Sequence, residues 1–171
     1  MIEPLNIPFG LCKITYGGTV LPSIGSAGEF KAIPKYEVPT SGALNHKKHY
    51  ILTEYNVIFE VSLENESYET LKLHMPTLQS HEYGLFDSPS NVNTTGKRLI
   101  IHPYTAGESK EFDLCIWDAY LDPETEFNRK YDKVTNKFNV RFIANRFENS
   151  VDTRLANSYF FIGDWSKVGV S

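Results

Sequence analysis

The stretch Ile51-Leu52-Thr53-Glu54-Tyr55-Asn56-Val57-Ile58-Phe59-Glu60-Val61-Ser62-Leu63 decides the fold. Side chains on a strand alternate between its two faces. Ile51, Thr53, Tyr55, Val57, Phe59, Val61 and Leu63 therefore share one largely apolar face, and Leu52, Glu54, Asn56, Ile58, Glu60 and Ser62 share a mixed one. A strand with one buried and one mixed face belongs in an antiparallel sheet. At thirteen residues it is well beyond the usual five or six.

Working outward, a helix is expected directly after this strand. Asn65 can cap it, Glu66 and Glu69 suit its positive end, and Pro76 stops it. Tyr68, Leu71, Met75 and Leu78 fall at helical spacing, which predicts an apolar stripe on a helix of about three turns. The remaining segments read as strands: Phe9 to Tyr16, Glu29 to Val38, Lys97 to His102, Glu111 to Leu121, Phe138 to Phe147 and Ser158 to Trp165. Pro34 marks part of the second as an edge or a bulge. Two polar connections, Pro39 to His49 and Leu85 to Gly96, read as exposed loops. One domain over residues 1–171 is expected, mainly β: a two-sheet β-sandwich or barrel with one flanking α-helix.

Composition agrees. The 171 residues include 11 Phe, 10 Tyr and 2 Trp but only seven Ala, which points away from helical bundles. A formal net charge of −4 speaks against a domain built to grip phosphates. The charge is uneven: residues 1–50 carry a net +2, residues 51–128 a net −10 and residues 129–171 a net +4. The N-terminal MIEPLNIPFGLC has no basic region before an apolar run, so it does not read as a secretory signal, and no apolar run is long enough to span a membrane. Cys12 and Cys115 read as two buried thiols.

Catalytic signatures are missing. Gly25-Ser26-Ala27-Gly28 lacks the nucleophile-elbow spacing, and Thr95-Gly96-Lys97-Arg98 lacks the glycine and hydroxyl of a phosphate loop. His81-Glu82 has no second His at helical spacing, and His46 and His49 flank two lysines that would repel a metal. No cofactor is expected. Glu111 and Asp113, two apart on an expected strand, would share a face at a separation compatible with glycoside hydrolysis, but nothing else in the sequence positions a sugar. Trp117 and Trp165 could stack on a carbohydrate, although burial of Trp117 is the better expectation.

One resemblance covers nearly the whole chain. Ile7-Pro8-Phe9-Gly10 leads into short strands, and a Gly- and Ser-containing loop precedes the long alternating strand. Ser67-Tyr68-Glu69-Thr70-Leu71 follows, then Arg98-Leu99-Ile100-Ile101-His102-Pro103, Trp117-Asp118-Ala119-Tyr120 and Val140-Arg141-Phe142-Ile143-Ala144-Asn145. This order resembles the major tail tube proteins of long-tailed, siphovirus-like bacteriophages. The resemblance implies a structural virion protein, made in the host cytoplasm, whose copies close into six-membered rings through a continuous inner barrel. Stacked rings would form the hollow tube that conducts DNA, without binding it specifically and without a membrane. Partners would be further copies and other tail proteins, such as the tape measure, terminator and distal tail proteins. Related folds serve as terminators and distal tail proteins, and a monomeric sugar-binding β-sandwich is the alternative of a different class.

Two sets of residues follow as expectations. Glu54, Asn56, Glu60, Glu111 and Asp113 would line the lumen, where an acidic wall keeps DNA from sticking. The loop residues Thr40, Ser41, Gly42, Ala43, Leu44, Asn45, His46, Lys47 and Lys48 would reach an adjacent ring, with the two lysines meeting acidic residues of the 51–128 region.

Overall fold

The computed structural model describes residues 10–22, 28–38, 50–64, 66–90, 92, 95–131, 137–148 and 153–168. Ten strands and one helix follow in chain order. They are β1 (Cys12–Tyr16), β2 (Thr19–Val20), β3 (Glu29–Glu37), β4 (Ile51–Leu63), α1 (Tyr68–His74), β5 (Leu78–His81), β6 (Gly84–Asp87), β7 (Lys97–Pro103), β8 (Leu114–Leu121), β9 (Phe138–Ala144) and β10 (Phe160–Ile162). Hydrogen bonding links eight strands in the order β2-β1-β7-β8-β9-β4-β3, with β10 also on β8, and β5-β6 forms a separate hairpin. All pairings are antiparallel. The mainly β fold with a flanking helix is thus the one that forms.

Strand β8 makes the sandwich. One of its edges pairs with β7 throughout, while its other edge pairs first with β10, at Leu114–Ile116, and then with β9, at Ala119–Leu121. Between these halves the register with β7 slips by one residue, so that Trp117 and Asp118 stand opposite Arg98. Such a bulge bends the strand and reverses which side chains face inward. Leu114 and Ile116 face the core before it, and Ala119 and Leu121 face it afterwards. The sheet folds here into two facing layers: β2-β1-β7-β10 with the first half of β8, and β9-β4-β3 with the second half.

Ring contacts across the interior show the closure. In a flat sheet β1 and β9 would lie roughly 14 Å apart, three strand spacings, yet Tyr16 and Phe142 have ring centroids 4.9 Å apart. Phe30 meets Phe160 and Tyr55 meets Tyr159, both edge-on at 4.9 Å. The alternation in β4 and β9 supplies the floor of this core: Val57, Phe59, Val61 and Leu63 from one, Phe138, Val140, Phe142 and Ala144 from the other, all buried. Each large side chain buried this way contributes about 1.5–3 kcal/mol. Gly17 and Gly18, at φ +56° and +85°, make the two-residue turn from β1 to β2 that L side chains adopt poorly.

Several local expectations are corrected. Helix α1 has seven residues, about two turns. Asn65 lies outside the described residues, and Ser67 is the cap, its Oγ accepting the Thr70 N–H at 3.1 Å. The helix buries Thr70 and His74 rather than an apolar stripe, and Tyr68 is exposed. His74 donates from Nδ1 to the Asn139 carbonyl at 2.6 Å, and its ring packs on Phe138, so a polar residue anchors the helix to β9. Leu78 and Leu85 to Asp87 belong to the β5–β6 hairpin, which its polar composition hid. The loop Pro39 to His49 lies outside the described residues.

Candidate functional site

Three surfaces stand out, one on each outer face and one beyond the core. The outer face of β3-β4-β9 carries Glu54, Asn56 and Glu60, as the even positions of β4 require. Register places Lys35 opposite Glu54, Ile33 opposite Asn56, and both Glu29 and Arg141 opposite Glu60. Lys31 reaches Glu29 at 2.9 Å and Glu60 at 3.1 Å, and Arg141 reaches Asp122 at 3.0 Å. Lys35 pairs with Glu54, and hydrogen bonds from Lys35 and Asn56 hold the Glu54 carboxyl below its ordinary value. On this face the carboxylates are matched by cations, with Ile33, Leu52 and Ile58 among them, so it is not the acidic wall that counting carboxylates along the chain suggests.

Glu111 and Asp113 do not join it. Glu111 sits exposed in the turn before β8. Asp113 is 2% exposed, with Oδ1 2.6 Å from His102 Nδ1 and Oδ2 accepting the Trp165 indole N–H at 3.0 Å. His102 Nε2 lies 2.8 Å from the Gly107 carbonyl. Asp113 is thus a buried clamp between β7 and the C-terminal segment, and the two carboxylates share no strand face.

The second surface is the distal part of the β3–β4 hairpin. Past Pro34 the ladder bulges at Lys35/Tyr36, and from Ile33 to Val38 and from Tyr50 to Glu54 the chain is exposed. Ile33, Tyr36, Val38, Tyr50, Ile51 and Leu52 are large apolar side chains left uncovered there, Tyr50 at 63% exposure. Tyr36 and Tyr50 touch edge-on across the ribbon. Among the described residues, strand β3 is also the outermost strand of its layer. Sequence alternation located this strand pair but gave no sign that its far half leaves the core.

The third surface is a cleft of about 1370 Å³ on the outer face of β1-β7-β8. Its floor is the non-core alternation of β1 and β7, Lys13, Thr15, Arg98, Ile100 and His102, and its walls include Lys110, Trp117, Arg146 and Trp165. The Arg98 guanidinium lies over both indoles, 5.5 Å from Trp117 and 5.3 Å from Trp165, and Lys110 lies 5.2 Å over Trp165. Trp117 is buried, as the sequence suggests, and stacks on Phe147. With its faces so engaged, it is no open platform for a sugar. Asp118 fills the space beside Gly96: a Cβ on that glycine would come within 1.3 Å of Asp118 Oδ1. The signal for this cluster was present in the separate Trp and Arg residues, but their meeting depends on the β8 bulge.

Cys115 lies on this side of β8, fully buried, and Cys12 is half-buried; neither is part of a disulfide. Burial pushes the Cys115 thiol up to about 12, with Arg98 opposing and Asp113 adding to the rise. At pH 8 iodoacetamide should modify Cys12 slowly and leave Cys115 untouched until denaturant is added. Because the folded state holds this proton more tightly, its contribution to stability falls as pH rises above the unfolded value near 9. Alkylation of native Cys115 at a rate comparable to Cys12, read by peptide mass mapping, would show that β8 opens readily. Among the described residues, no group of three or more His, Cys, Asp or Glu could hold a metal, and no helix is long and apolar enough to cross a membrane.

Comparison with solved structures places the fold. A chain in the cryo-EM structure of an extracellular contractile injection system, the PVC sheath–tube complex in its extended state, superposes with a TM-score of 0.52. The match covers 84% of this chain and 90% of that one at 12% identity. A chain of the anti-feeding prophage cap, the AFP tube terminating cap, is also similar, with a TM-score of 0.49, 12% identity, and coverage of 85% and 91%. No family model matches the chain, and no curated protein sequence does. The chain therefore has the fold of the sheath–tube complex chain over most of both lengths.

Proposed function

We propose that this chain is the structural subunit of a tail tube, in a phage or a phage-tail-like particle, and that it acts by self-assembly rather than catalysis. The observation that carries this reading is the exposed apolar arm formed by β3 and β4. A two-stranded ribbon is marginal in water on its own, and a contiguous apolar surface marks a contact. A neighbouring copy in a stacked ring would cover it, with residues 40–48 at its tip as the ring-stacking contact. The outer edge of β3 would be satisfied by ring closure, as open edges in closed assemblies are. Six copies per ring is the stoichiometry that the resemblance implies.

In this reading Glu54, Asn56 and Glu60 line the channel. Their carboxylates are matched by Lys35, Lys31 and Arg141, so passing DNA would meet a hydrated wall with little net field, giving neither adhesion nor strong repulsion. Further copies and other tail proteins would be the partners. The likeness to a chain from a sheath–tube complex supports the reading at the level of fold.

Purified protein should show mass growing with concentration in light scattering, and rings or tubes in negative-stain micrographs. A single species near 19.5 kDa at every concentration, with tail extract present as well as without it, would overturn the proposal.

A further inference from the structure

The two outer faces treat their charges differently. On the β3-β4-β9 face each of Glu54, Glu60, Lys31, Lys35 and Arg141 has an opposite charge within reach. Around the cleft on the other face, Lys13, Lys97, Arg98, Lys110 and Arg146 form no ion pair among the described residues. Arg98, Lys97 and Lys110 lie instead over aromatic rings. Asp113, one of the acids in the cleft, is already committed to His102 and Trp165.

Among the described residues, two buried polar atoms of neighbouring cleft residues lack partners, and both are closed to solvent in the free chain. Trp117 is 5% exposed and its Nε1 donates to nothing, and the neighbouring Asp118 Oδ1 accepts from nothing. An unsatisfied buried group costs about 1–3 kcal/mol. One of these needs an acceptor and the other a donor. A peptide backbone offers both from one residue, whereas a phosphodiester backbone offers acceptors only. Glu108, Asp118 and Glu148 in the cleft also oppose a continuous line of phosphates, while the spaced carboxylates of a peptide can settle between them.

We propose that this cleft is a docking site for an extended acidic peptide segment of another protein. Its carboxylates pair with Arg98, Lys110 and the exposed Lys13 and Arg146, and as Arg98 swings off the Trp117 indole toward them its backbone gains access to the Trp117 N–H and Asp118. The inference stands independently of tube assembly, because the cleft belongs wholly to one copy.

The chain has only two tryptophans, and both line the cleft, so indole signals report on it alone. The full chain labelled with 15N at the indoles should show two N–H peaks, assigned with Trp165→Phe. Titration with a ten-residue peptide carrying Asp or Glu at every third position, with Gly and Ser between, should move the Trp117 peak downfield, and move Trp165 less because its N–H already donates to Asp113. Lys13→Gln with Arg146→Gln, both at exposed positions, should weaken binding at least tenfold while leaving the free spectrum intact. Absence of a shift at millimolar peptide would overturn the proposal, as would an equal response to a ten-nucleotide oligothymidine. An undiminished response in the double variant would do the same. A Trp117 shift on raising protein concentration without peptide would identify a second copy as the occupant and also overturn it.

Discussion

Tyr36→Thr, Ile51→Thr and Leu52→Thr combined should abolish rings and tubes while leaving the sandwich folded. These side chains are more than half uncovered in the isolated chain, or close to it, at 55%, 54% and 50% exposure, so their loss removes little from the core. Substitutions at such positions usually change stability by less than about 0.5 kcal/mol each, and Thr keeps the strand propensity of the ribbon. In an assembly that buries their remaining half, each would contribute about 0.8–1.5 kcal/mol. Even the lower figure, about 2.4 kcal/mol for three, weakens each contact by roughly fiftyfold, multiplied over every contact a growing tube repeats. Circular dichroism and melting should match the parent, while sedimentation shows a species that no longer grows with concentration. A companion variant with residues 40–48 replaced by a short Gly-Ser turn should likewise keep its melting behaviour and lose long tubes. Tubes of normal length from both variants would mean that the arm is not the stacking contact.

What was legible in the sequence was whatever depended on local periodicity. The thirteen-residue alternation of β4 and the four inward positions of β9 could be read directly, because a half-buried strand writes its burial into every second residue. The same rule found the mixed face bearing Glu54, Asn56 and Glu60. What failed depended on interruptions of period. Asp113 sits just before β8, where extrapolating the alternation outward paired it with Glu111; the strand in fact begins at Leu114. The bulge at Trp117–Asp118 swaps inward and outward sides in mid-strand, and no single-sequence pattern announces such a swap. Charge balance was also hidden. Residues 51–128 are strongly acidic taken along the chain, but antiparallel pairing sets β4 beside β3 and β9, which bring Lys31, Lys35 and Arg141 from outside that segment. The apolar stripe expected of α1 gave way to His74, whose ring hydrogen bond to the Asn139 carbonyl a hydrophobicity pattern cannot register.

The separation of Glu111 from Asp113 gives the second large effect. Asp113→Ala removes the acceptor of the Trp165 indole N–H and the partner of His102 Nδ1, at 3.0 and 2.6 Å, in a site almost closed to water. The His102 ring has an acceptor at each nitrogen, Asp113 on one side and the Gly107 carbonyl on the other. Losing Asp113 strands the Trp165 N–H and the His102 Nδ1 without their partner, at about 1–3 kcal/mol for each buried group, roughly 3–5 kcal/mol together. For a chain of this size that lowers Tm by roughly 6–20 °C. The Trp165 segment should loosen first, since its indole bond to Asp113 ties it to β7 through His102. Glu111→Ala should leave Tm unchanged within about 2 °C, as expected for an exposed turn residue. Scanning calorimetry of the two variants side by side decides the matter: a small loss for Asp113→Ala, or equal losses for both, would mean that the clamp between β7 and the C-terminal segment contributes nothing to the fold.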